Sequence, residues 1–415
     1  MPSEAQVVIG GVDTHKDVHV AAAIDERGKV LDTASFEVTA RGYRELLNWL
    51  RSFGELAKVG VEGTGAYGAG LARHLGGAGV EVVEVNRPNR QARRRRGKSD
   101  TVDAEAAARA ALSGEAVVVP KAQGSVVESI RVLRVAFTSA RDSRTRVALQ
   151  IRDLIVTAPE QLRAILGPLS TAERVARGVR LQVTGDVADP VVGTKLALRT
   201  LARRYQALSA EMAELDATLD ELTVRANPAL RGAKGVGPDV AAILLTAAGD
   251  NPQRLKSEAA FAAMCGVSPI EASSGKTVRH RLNRSGNRQA NHALWRIVMV
   301  RLSSGDPATT AYVERRTAEG KSRREIVRCL KRHVAREAYR HLVRPEPVLA
   351  GHDLRATRLA ARVSLQTVAD ALGSWPTRIS ELERGLKHDT ALARRYGQWL
   401  DGQLHEGGEE SLRAA

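Results

Sequence analysis

The sequence predicts a mixed α/β domain at the N-terminus, followed by a series of helical domains. Three observations favour this order. Short apolar runs alternate with helix-like spacing over residues 7–85, apolar residues repeat every three or four positions over 126–222, and two short helix patterns separated by a break lie in 354–385. Alternating strand and helix patterns are typical of a sheet covered by helices, whereas a sustained four-and-three repeat is typical of paired helices.

The N-terminal domain, predicted over residues 6–120, begins with two apolar runs, VVIGGVD and VHVAAAI, and a strand-like stretch over 30–38. A helical pattern follows in RGYRELLNWLRSF, and two more apolar runs, KVGVEG and VEVVEV, flank a helix closed by glycines. Three early strands followed by alternating helix and strand predict a mixed sheet with helices packed on it. Asp13 and Glu62 stand at the ends of two of these strands.

Two long helices are predicted for the second domain, residues 121–226. Over 126–154 the apolar residues keep alternating steps of four and three with a break at Arg144, and over 201–222 the same steps have no break. Such a seam predicts a coiled coil or an antiparallel helical hairpin, packed on itself or on a partner chain.

The third predicted domain, residues 227–343, begins with a Gly-Val-Gly-Pro turn between two helix patterns. This turn resembles a helix–hairpin–helix, in which amides face a phosphate, although an ordinary glycine-rich connection has the same appearance. Near the end of the domain arginines recur every four residues, and such a stripe repels itself unless phosphates or acids neutralise it. Residues 344–353 read as a linker rich in proline and glycine.

The charge balance predicts a polyanionic partner. Lys and Arg number 63 against 47 Asp and Glu, which gives a formal net charge of +16, so nucleic acid is expected ahead of an anionic membrane surface. No apolar run approaches the roughly 18 residues of a membrane span, and the first residues do not resemble a signal peptide. The two cysteines, Cys265 and Cys329, exclude a disulfide framework and a cysteine-based zinc site. These features predict a cytoplasmic protein.

Four acidic residues are the candidate catalytic residues. Asp13 and Glu62 each end a strand, where α/β sheets present their sites, and Asp100 and Asp103 share one face at the start of a helix. Convergent carboxylates repel one another unless divalent cations lie between them, and hard oxygen ligands favour Mg²⁺ or Mn²⁺. The structural alternative makes Asp100 a helix N-cap with Asp103 three residues later, and makes the other two acids turn residues.

The motifs GGVDTHKD, VGVEGTGAYG and KSDTVDAEAAARAAL resemble the acidic DEDD signature of the IS110 family of bacterial insertion-sequence transposases. The resemblance continues through GVGPDVAAILLTAAGD, LKSEAAFAAMCGVSPIEASSGK and LNRSGNRQANHAL, so that it covers residues 6–343. It implies an RNase H-like N-terminal domain similar to the RuvC junction resolvase. It also implies that Asp13, Glu62, Asp100 and Asp103 bind Mg²⁺ or Mn²⁺.

The same resemblance implies a serine nucleophile that joins covalently to DNA. The matching motif is Pro269, four intervening residues and then Ser274–Gly275, and Ser273 is the adjacent alternative. A Ser-Gly pair in a polar loop is by itself usually a turn, and serine needs a base or a metal to become a good nucleophile. The resemblance therefore implies a composite site in which the acids position the scissile phosphate while Ser274 attacks it.

Residues 353–402 resemble the helix-turn-helix of Xre/Cro-type phage repressors, with Gly373 at the turn and the recognition helix beginning near Trp375; a small helical cap is the alternative. Basic and polar side chains in four places are predicted nucleic-acid contacts, although charge runs are often merely solvated. They lie in the loop before Asp100, beside Ser274, in the arginine stripe and in the tail: Arg93, Arg94, Arg95, Arg96, Lys98, Arg279, Arg281, Arg284, Arg324, Arg328, Arg332, Arg336, Gln366 and Arg378.

The resemblance implies a DNA transposase or recombinase that acts on double-stranded donor and target DNA. It further implies guidance by a bridge non-coding RNA and a homo-oligomer, a dimer that assembles into a tetramer, in the bacterial cytoplasm, associated with the nucleoid when bound to DNA. Two rival functions stay open. A metal-dependent junction nuclease would need the acids but not Ser274, and a DNA-binding regulator would have no catalytic activity.

Overall fold

A computed structural model of the chain divides into two compact units. The first runs to Gly124 and includes the later segment Gly249–Arg254, and the second contains the remaining residues from Ser125 onward. The residues that the structure describes are 6–85, 99–114, 117–122, 124–275, 280–345, 351–386 and 389–413. None of the helices in these ranges is long and apolar enough to cross a membrane.

The first unit is built on a mixed sheet that has six strands among the described residues. The strand order is β3-β2-β1-β4-β5-β6, in which β1–β4 and β4–β5 are parallel and the other neighbours are antiparallel. The sheet confirms the predicted α/β class and is consistent with a RuvC-like fold. The strands are β1 (Val7–Thr14), β2 (Val18–Asp25), β3 (Val30–Glu37), β4 (Glu55–Glu62), β5 (Glu81–Val85) and β6 (Val117–Val118).

Helices cover both faces of this sheet. On one face, α1 (Ala40–Arg51) and α2 (Ala69–Gly77) bury leucines such as Leu46 and Leu71 against Val12 and other apolar strand residues. On the opposite face, α3 (Asp100–Ser113) packs across β1, β2 and β4. Because successive strand residues point to opposite faces, each strand contributes alternate side chains to the two layers.

The backbone of α3 rests directly on two strand glycines. A Cβ atom added to Gly11 would lie 2.1 Å from the backbone nitrogen of Ala108, and one added to Gly60 would lie 2.5 Å from the carbonyl oxygen of Ala107. The helix in turn presents a buried row of alanines to the sheet. Small residues on both surfaces therefore fix how closely, and at which register, α3 approaches β1 and β4.

The second unit begins with two long helices, α4 (Val126–Val156) and α7 (Pro190–Ala226), that pack along each other. The beginning of α4 shares a buried cluster with the end of α7, and the end of α4 shares a second cluster with the beginning of α7, so the pair is antiparallel. Two short helices, α5 (Glu160–Leu166) and α6 (Thr171–Val179), connect them. The helical-hairpin interpretation is thus the one seen within this chain.

Around the open end of this hairpin, further helices enclose the larger core. An ion-pair triad ties two of them to the hairpin, because Asp239 of α9 contacts Arg134 of α4 at 2.8 Å and also pairs with Arg296 of α11. Burial alone would raise the pKa of the Asp239 carboxyl, but the two guanidinium groups hold it below its ordinary value. The helices are α8 (Pro228–Arg231), α9 (Pro238–Ala248), α10 (Glu258–Met264), α11 (Arg288–Ser303), α12 (Pro307–Ala318) and α13 (Arg323–Val343).

The C-terminal tail has its own apolar core, formed among α14 (Gly351–Ala360), α15 (Leu365–Leu372), α16 (Pro376–Glu383) and α17 (Thr390–Arg413). Gly373 ends α15 in the left-handed conformation, with φ of 59°, so the turn falls at the predicted glycine. Inside the tail, the buried guanidinium of Arg358 binds both carboxylate oxygens of Glu383, and the Tyr396 hydroxyl donates to the same carboxylate at 2.7 Å.

Replacing Gly11 with Ala should destabilise the first unit by about 3 kcal/mol, because the new Cβ would displace the α3 backbone rather than a flexible side chain. Gly76→Ala is the matched control, since a Cβ there meets nothing within 4 Å and alanine favours a helix by up to about 1 kcal/mol. Hydrogen exchange of peptides from β1 and α3 measures the change locally. Unaltered protection in Gly11→Ala would mean that α3 does not rest on β1 as described.

Candidate active site

Two strands place Asp13 and Glu62 side by side at one edge of the sheet. β1 and β4 are parallel neighbours with Val12 opposite Val61, so the acids that follow these valines are adjacent. Both acids lie two residues beyond the glycines that contact α3, and strand alternation therefore puts them on the face that α3 covers. The hydroxyl of Thr14 donates to the Glu62 carbonyl oxygen at 2.8 Å and ties the two strand ends together.

The first turn of α3 brings Asp100 and Asp103 to the same edge. The N-cap of this helix is Ser99, whose side chain accepts a hydrogen bond from the Val102 amide, so the alternative that Asp100 caps the helix is wrong. Asp103 is buried, whereas the Asp100 side chain is about half exposed. Since Ser99 satisfies the helix amide, the carboxylate of Asp100 is available to face the end of β1.

His15 joins this group, although the sequence reasoning did not select it. Its Nε2 lies 3.2 Å from Asp13 Oδ2 and 3.4 Å from Asp100 Oδ1. A protonated imidazole in this position bridges two carboxylates, whereas a neutral imidazole offers a metal ligand. The available signal was its position two residues after Asp13, just beyond the end of the strand.

The environment of Asp13 opposes its charge. Burial raises the pKa of the Asp13 carboxyl above its ordinary value, nearby His15 lowers it, and the carboxylates of Asp103 and Asp100 raise it again. Among the described residues, Asp13, His15 and Asp100 offer ligand atoms that all lie within 4.8 Å of one another. A carboxylate set that is crowded and partly buried fits a divalent cation, whose charge would offset both the desolvation and the repulsion.

Ser274 lies in the second unit, in the loop of a β-hairpin. The hairpin pairs β7 (Ile270–Glu271) with β8 (His280–Arg281) in antiparallel register, with Glu271 opposite His280. Ser274 is exposed, and Gly275 beside it has φ of +56°, with open space where its Cβ would be. The side chain of Ser274 is therefore accessible from solvent.

Close backbone contacts anchor the base of this hairpin. Gly266 and Gly286 both have positive φ, and a Cβ on either would lie 2.6 Å from a carbonyl oxygen of the opposing segment. The Asn291 amide of α11 donates to the Cys265 carbonyl at 2.8 Å, and Lys331 of α13 donates to the Asn291 side-chain oxygen at 2.9 Å. The polar loop that carries Ser274 therefore extends from a fixed support.

The predicted nucleic-acid contacts fall into three groups. Exposed side chains comprise Arg281, Arg284, Arg324, Arg328 and Arg336, and Arg332 is half-buried. In the tail, Arg378 pairs with Asp389 and Gln366 donates to Asp370. Outside the described residues lie Arg93, Arg94, Arg95, Arg96, Lys98 and Arg279.

Comparison with known proteins places the chain among the transposases. Residues 10–158 match a family model described as a transposase, of the DEDD type found in IS110, and residues 227–314 match the transposase IS116/IS110/IS902 family. The two matches together span more than half of the chain. The chain belongs to the IS110 family of insertion-sequence transposases.

A protein of Streptomyces coelicolor, the insertion element IS110 uncharacterized 43.6 kDa protein, is 30% identical to this chain over 140 residues. The alignment covers 33% of this chain and 34% of the relative, so it spans about a third of the relative's length. The DEDD match implies that the carboxylate site uses a divalent metal, in agreement with the ligand geometry.

Replacing Asp13 with Asn should raise the thermal midpoint of the metal-free protein by about 1–3 °C, because it removes a charge that burial and two carboxylates disfavour. The variant should also lose most of the further stabilisation that excess Mg²⁺ gives to the unaltered chain. Calorimetry in a chelator and then in Mg²⁺ measures both effects. Asp17→Asn, the same change at an exposed position nearby, should show neither. A lower midpoint for metal-free Asp13→Asn would instead identify Asp13 as a structural residue.

Proposed function

We propose that this protein is a DNA transposase or recombinase of an insertion sequence that cuts and rejoins DNA strands. Its site would combine Asp13, Glu62, Asp100 and Asp103 with the nucleophilic serine Ser274. The observation that carries the proposal is the convergence of Asp13, Asp100 and His15 within ligand distance of one another, next to buried Asp103, on a sheet of the expected class. The family match supports the same chemistry.

The four acids would hold Mg²⁺ or Mn²⁺, and the bound cation would neutralise charge on the scissile phosphate. Asp13 and Asp103 provide a buried anchor, while half-exposed Asp100 faces the solvent from which the substrate arrives. His15 would keep these carboxylates oriented when no cation is present, since its imidazole lies within 3.4 Å of both Asp13 and Asp100.

In the proposed reaction the Ser274 hydroxyl oxygen attacks the phosphorus of a DNA phosphodiester. A phosphodiester to serine forms, one strand end leaves as a free hydroxyl, and the serine proton passes to that leaving oxygen. One phosphodiester replaces another, so the reverse step joins a strand without any external energy source. The exposed loop position of Ser274 suits attack on a duplex, and the acids of the first unit would activate the phosphate.

The proposed partners are duplex donor and target DNA and a bridge non-coding RNA that pairs with both. The net charge of +16 and the exposed arginines of α13 support a polyanionic partner. We further propose a dimer that assembles into a tetramer and acts in the cytoplasm. Two active copies on each DNA partner would allow both strands to be exchanged.

For the tail we propose a helix-turn-helix that holds the protein on duplex DNA. The turn at Gly373 and the helix that begins at Pro376 support it, because this motif reads DNA through its second helix. Arg378 on α16 and Gln366 on α15 are its proposed DNA contacts. The role is accessory, since every proposed catalytic residue precedes the tail.

Substitution of Ser274 by Ala should abolish the covalent protein–DNA adduct, because it removes the hydroxyl oxygen that forms the bond to phosphorus. Binding of the guide RNA should remain intact. Trapping with radiolabelled DNA under denaturing conditions measures the adduct, and Ser273→Ala is the matched control. An adduct that persists in Ser274→Ala but disappears in Ser273→Ala would move the nucleophile by one residue. Strand cleavage without an adduct in either variant or in the unaltered chain would favour a metal-dependent nuclease.

A chain truncated after residue 345 should still bind its RNA and recombine, because the apolar core of the tail is formed by its own residues. It should lose part of the salt-sensitive affinity for duplex DNA. In the full chain, Arg378→Gln should reproduce that loss without altering recombination of saturating DNA. Mobility shifts and a strand-joining assay measure the two properties. Loss of strand joining by a folded truncated chain would make the tail part of the catalytic assembly.

A further inference from the structure

Two neighbouring helices of the second unit, α12 and α13, bring arginine, histidine and tyrosine side chains together. On α12 one side chain lies three and four residues before two others, and on α13 one side chain lies three and four residues after two others, so both of these pairs on each helix are neighbours on its surface. The two helices pack against each other. The α12–α13 basic cluster comprises Tyr312, Arg315, Arg316, Arg332, His333 and Arg336.

Tyr312 is the centre of this cluster. The guanidinium carbons of Arg315 and Arg316 lie 5.2 and 5.9 Å from the centroid of its ring. The imidazole of His333, from the other helix, meets the same ring edge-on at 5.1 Å. One aromatic side chain thus contacts two guanidinium groups of its own helix and an imidazole of the other, and cation–π attraction compensates only part of the repulsion between the guanidinium groups.

Carboxylates neutralise only part of the charge. Arg316 pairs with Glu319, and Arg336 Nε lies 2.8 Å from Glu258 Oε2. Within the described part of the chain, no carboxylate lies within ion-pair distance of Arg315 or Arg332. The cluster therefore keeps a positive excess.

Two guanidinium nitrogens of the cluster are also buried without a hydrogen-bond partner in the described structure, namely Nε of Arg316 and Nη1 of Arg332. A buried donor that lacks a partner costs about 1–3 kcal/mol. An anion that accepts from these nitrogens would recover this free energy and offset the repulsion at the same time. Burial and then the four arginines lower the pKa of His333 below its ordinary value, which agrees with a positive potential at this point.

The shape of the positive surface indicates an extended anion. Arg324 and Arg328 continue along α13 from the cluster and are exposed. At 1.5 Å per residue, the stretch from Arg324 to Arg336 is about 18 Å long. A nucleic-acid strand carries one charge per roughly 3.4 Å, so several consecutive phosphates match this length, whereas a single phosphate does not.

We propose that the α12–α13 basic cluster binds consecutive phosphates of a nucleic-acid backbone, with the half-buried arginines Arg316 and Arg332 at its centre. This site deepens the proposed function. It rests on that function in one respect, namely that the chain binds nucleic acid. The test measures binding without cleavage or strand joining. A negative result would therefore disprove the binding site and leave the proposed catalysis untouched, and a failure of the proposed catalysis would leave the binding site untouched.

The test is fluorescence anisotropy of the full chain with duplex DNA and, separately, with duplex RNA over a range of salt concentrations. The double variant Arg316→Gln/Arg332→Gln should bind about tenfold more weakly, and the slope of log affinity against log salt should be less steep by about 2. Arg203→Gln/Arg204→Gln removes the same charge from exposed positions on α7 and should change the affinity less than about threefold. Exposed Arg315→Gln, which cannot disturb the core, should reduce the slope by about 1.

A loss with DNA, with RNA or with both supports the site and identifies the polymer that it holds. An equal loss in the α7 control would assign the effect to net charge alone and overturn the proposal. Unchanged slopes in both the double variant and Arg315→Gln would overturn it as well. If the double variant has a lower thermal midpoint, Arg315→Gln alone decides, because its side chain is exposed.

Discussion

Direct contact between the backbone of α3 and the strand residues Gly11 and Gly60 determines where the candidate site forms. The helix carries two of the four acids, and the strands carry the other two, each two residues beyond a contacting glycine. A larger residue at either glycine would lift the start of the helix from the sheet edge and separate the carboxylates. The geometry of the charges thus depends on a packing contact that has no charge of its own.

The site and the fold have opposing requirements at this edge. Hydrophobic packing on both faces brings Asp13 and Asp103 into a buried position, where their charges repel and are poorly hydrated. His15 relieves part of this cost in the metal-free protein by lying between Asp13 and Asp100. The same tension recurs on α12 and α13, where packing of the helices leaves guanidinium nitrogens buried without acceptors. In both places packing concentrates one sign of charge, which a ligand of the opposite charge would offset.

The sequence predicted those features that depend on local spacing. Apolar runs indicated the strands, the four-and-three repeat indicated paired long helices without deciding between a coiled coil and an antiparallel hairpin, and the positions of the acids predicted one shared site. Features that depend on distant contacts were missed. The contact of His15 with Asp100 exists because α3 returns to the end of β1, across a separation in sequence that no local pattern reveals. The support of the Ser274 hairpin likewise arises from Asn291 and Lys331, which no local pattern connects to it.

The buried charge in the tail is balanced entirely by neighbours in the tail. Arg358, Glu383 and Tyr396 satisfy one another, and the apolar residues around them come from the same four helices. A segment of this kind brings the counterion of its buried arginine with it. Moving it to another chain would therefore leave both the pairing of this arginine and the apolar core of the four helices unchanged.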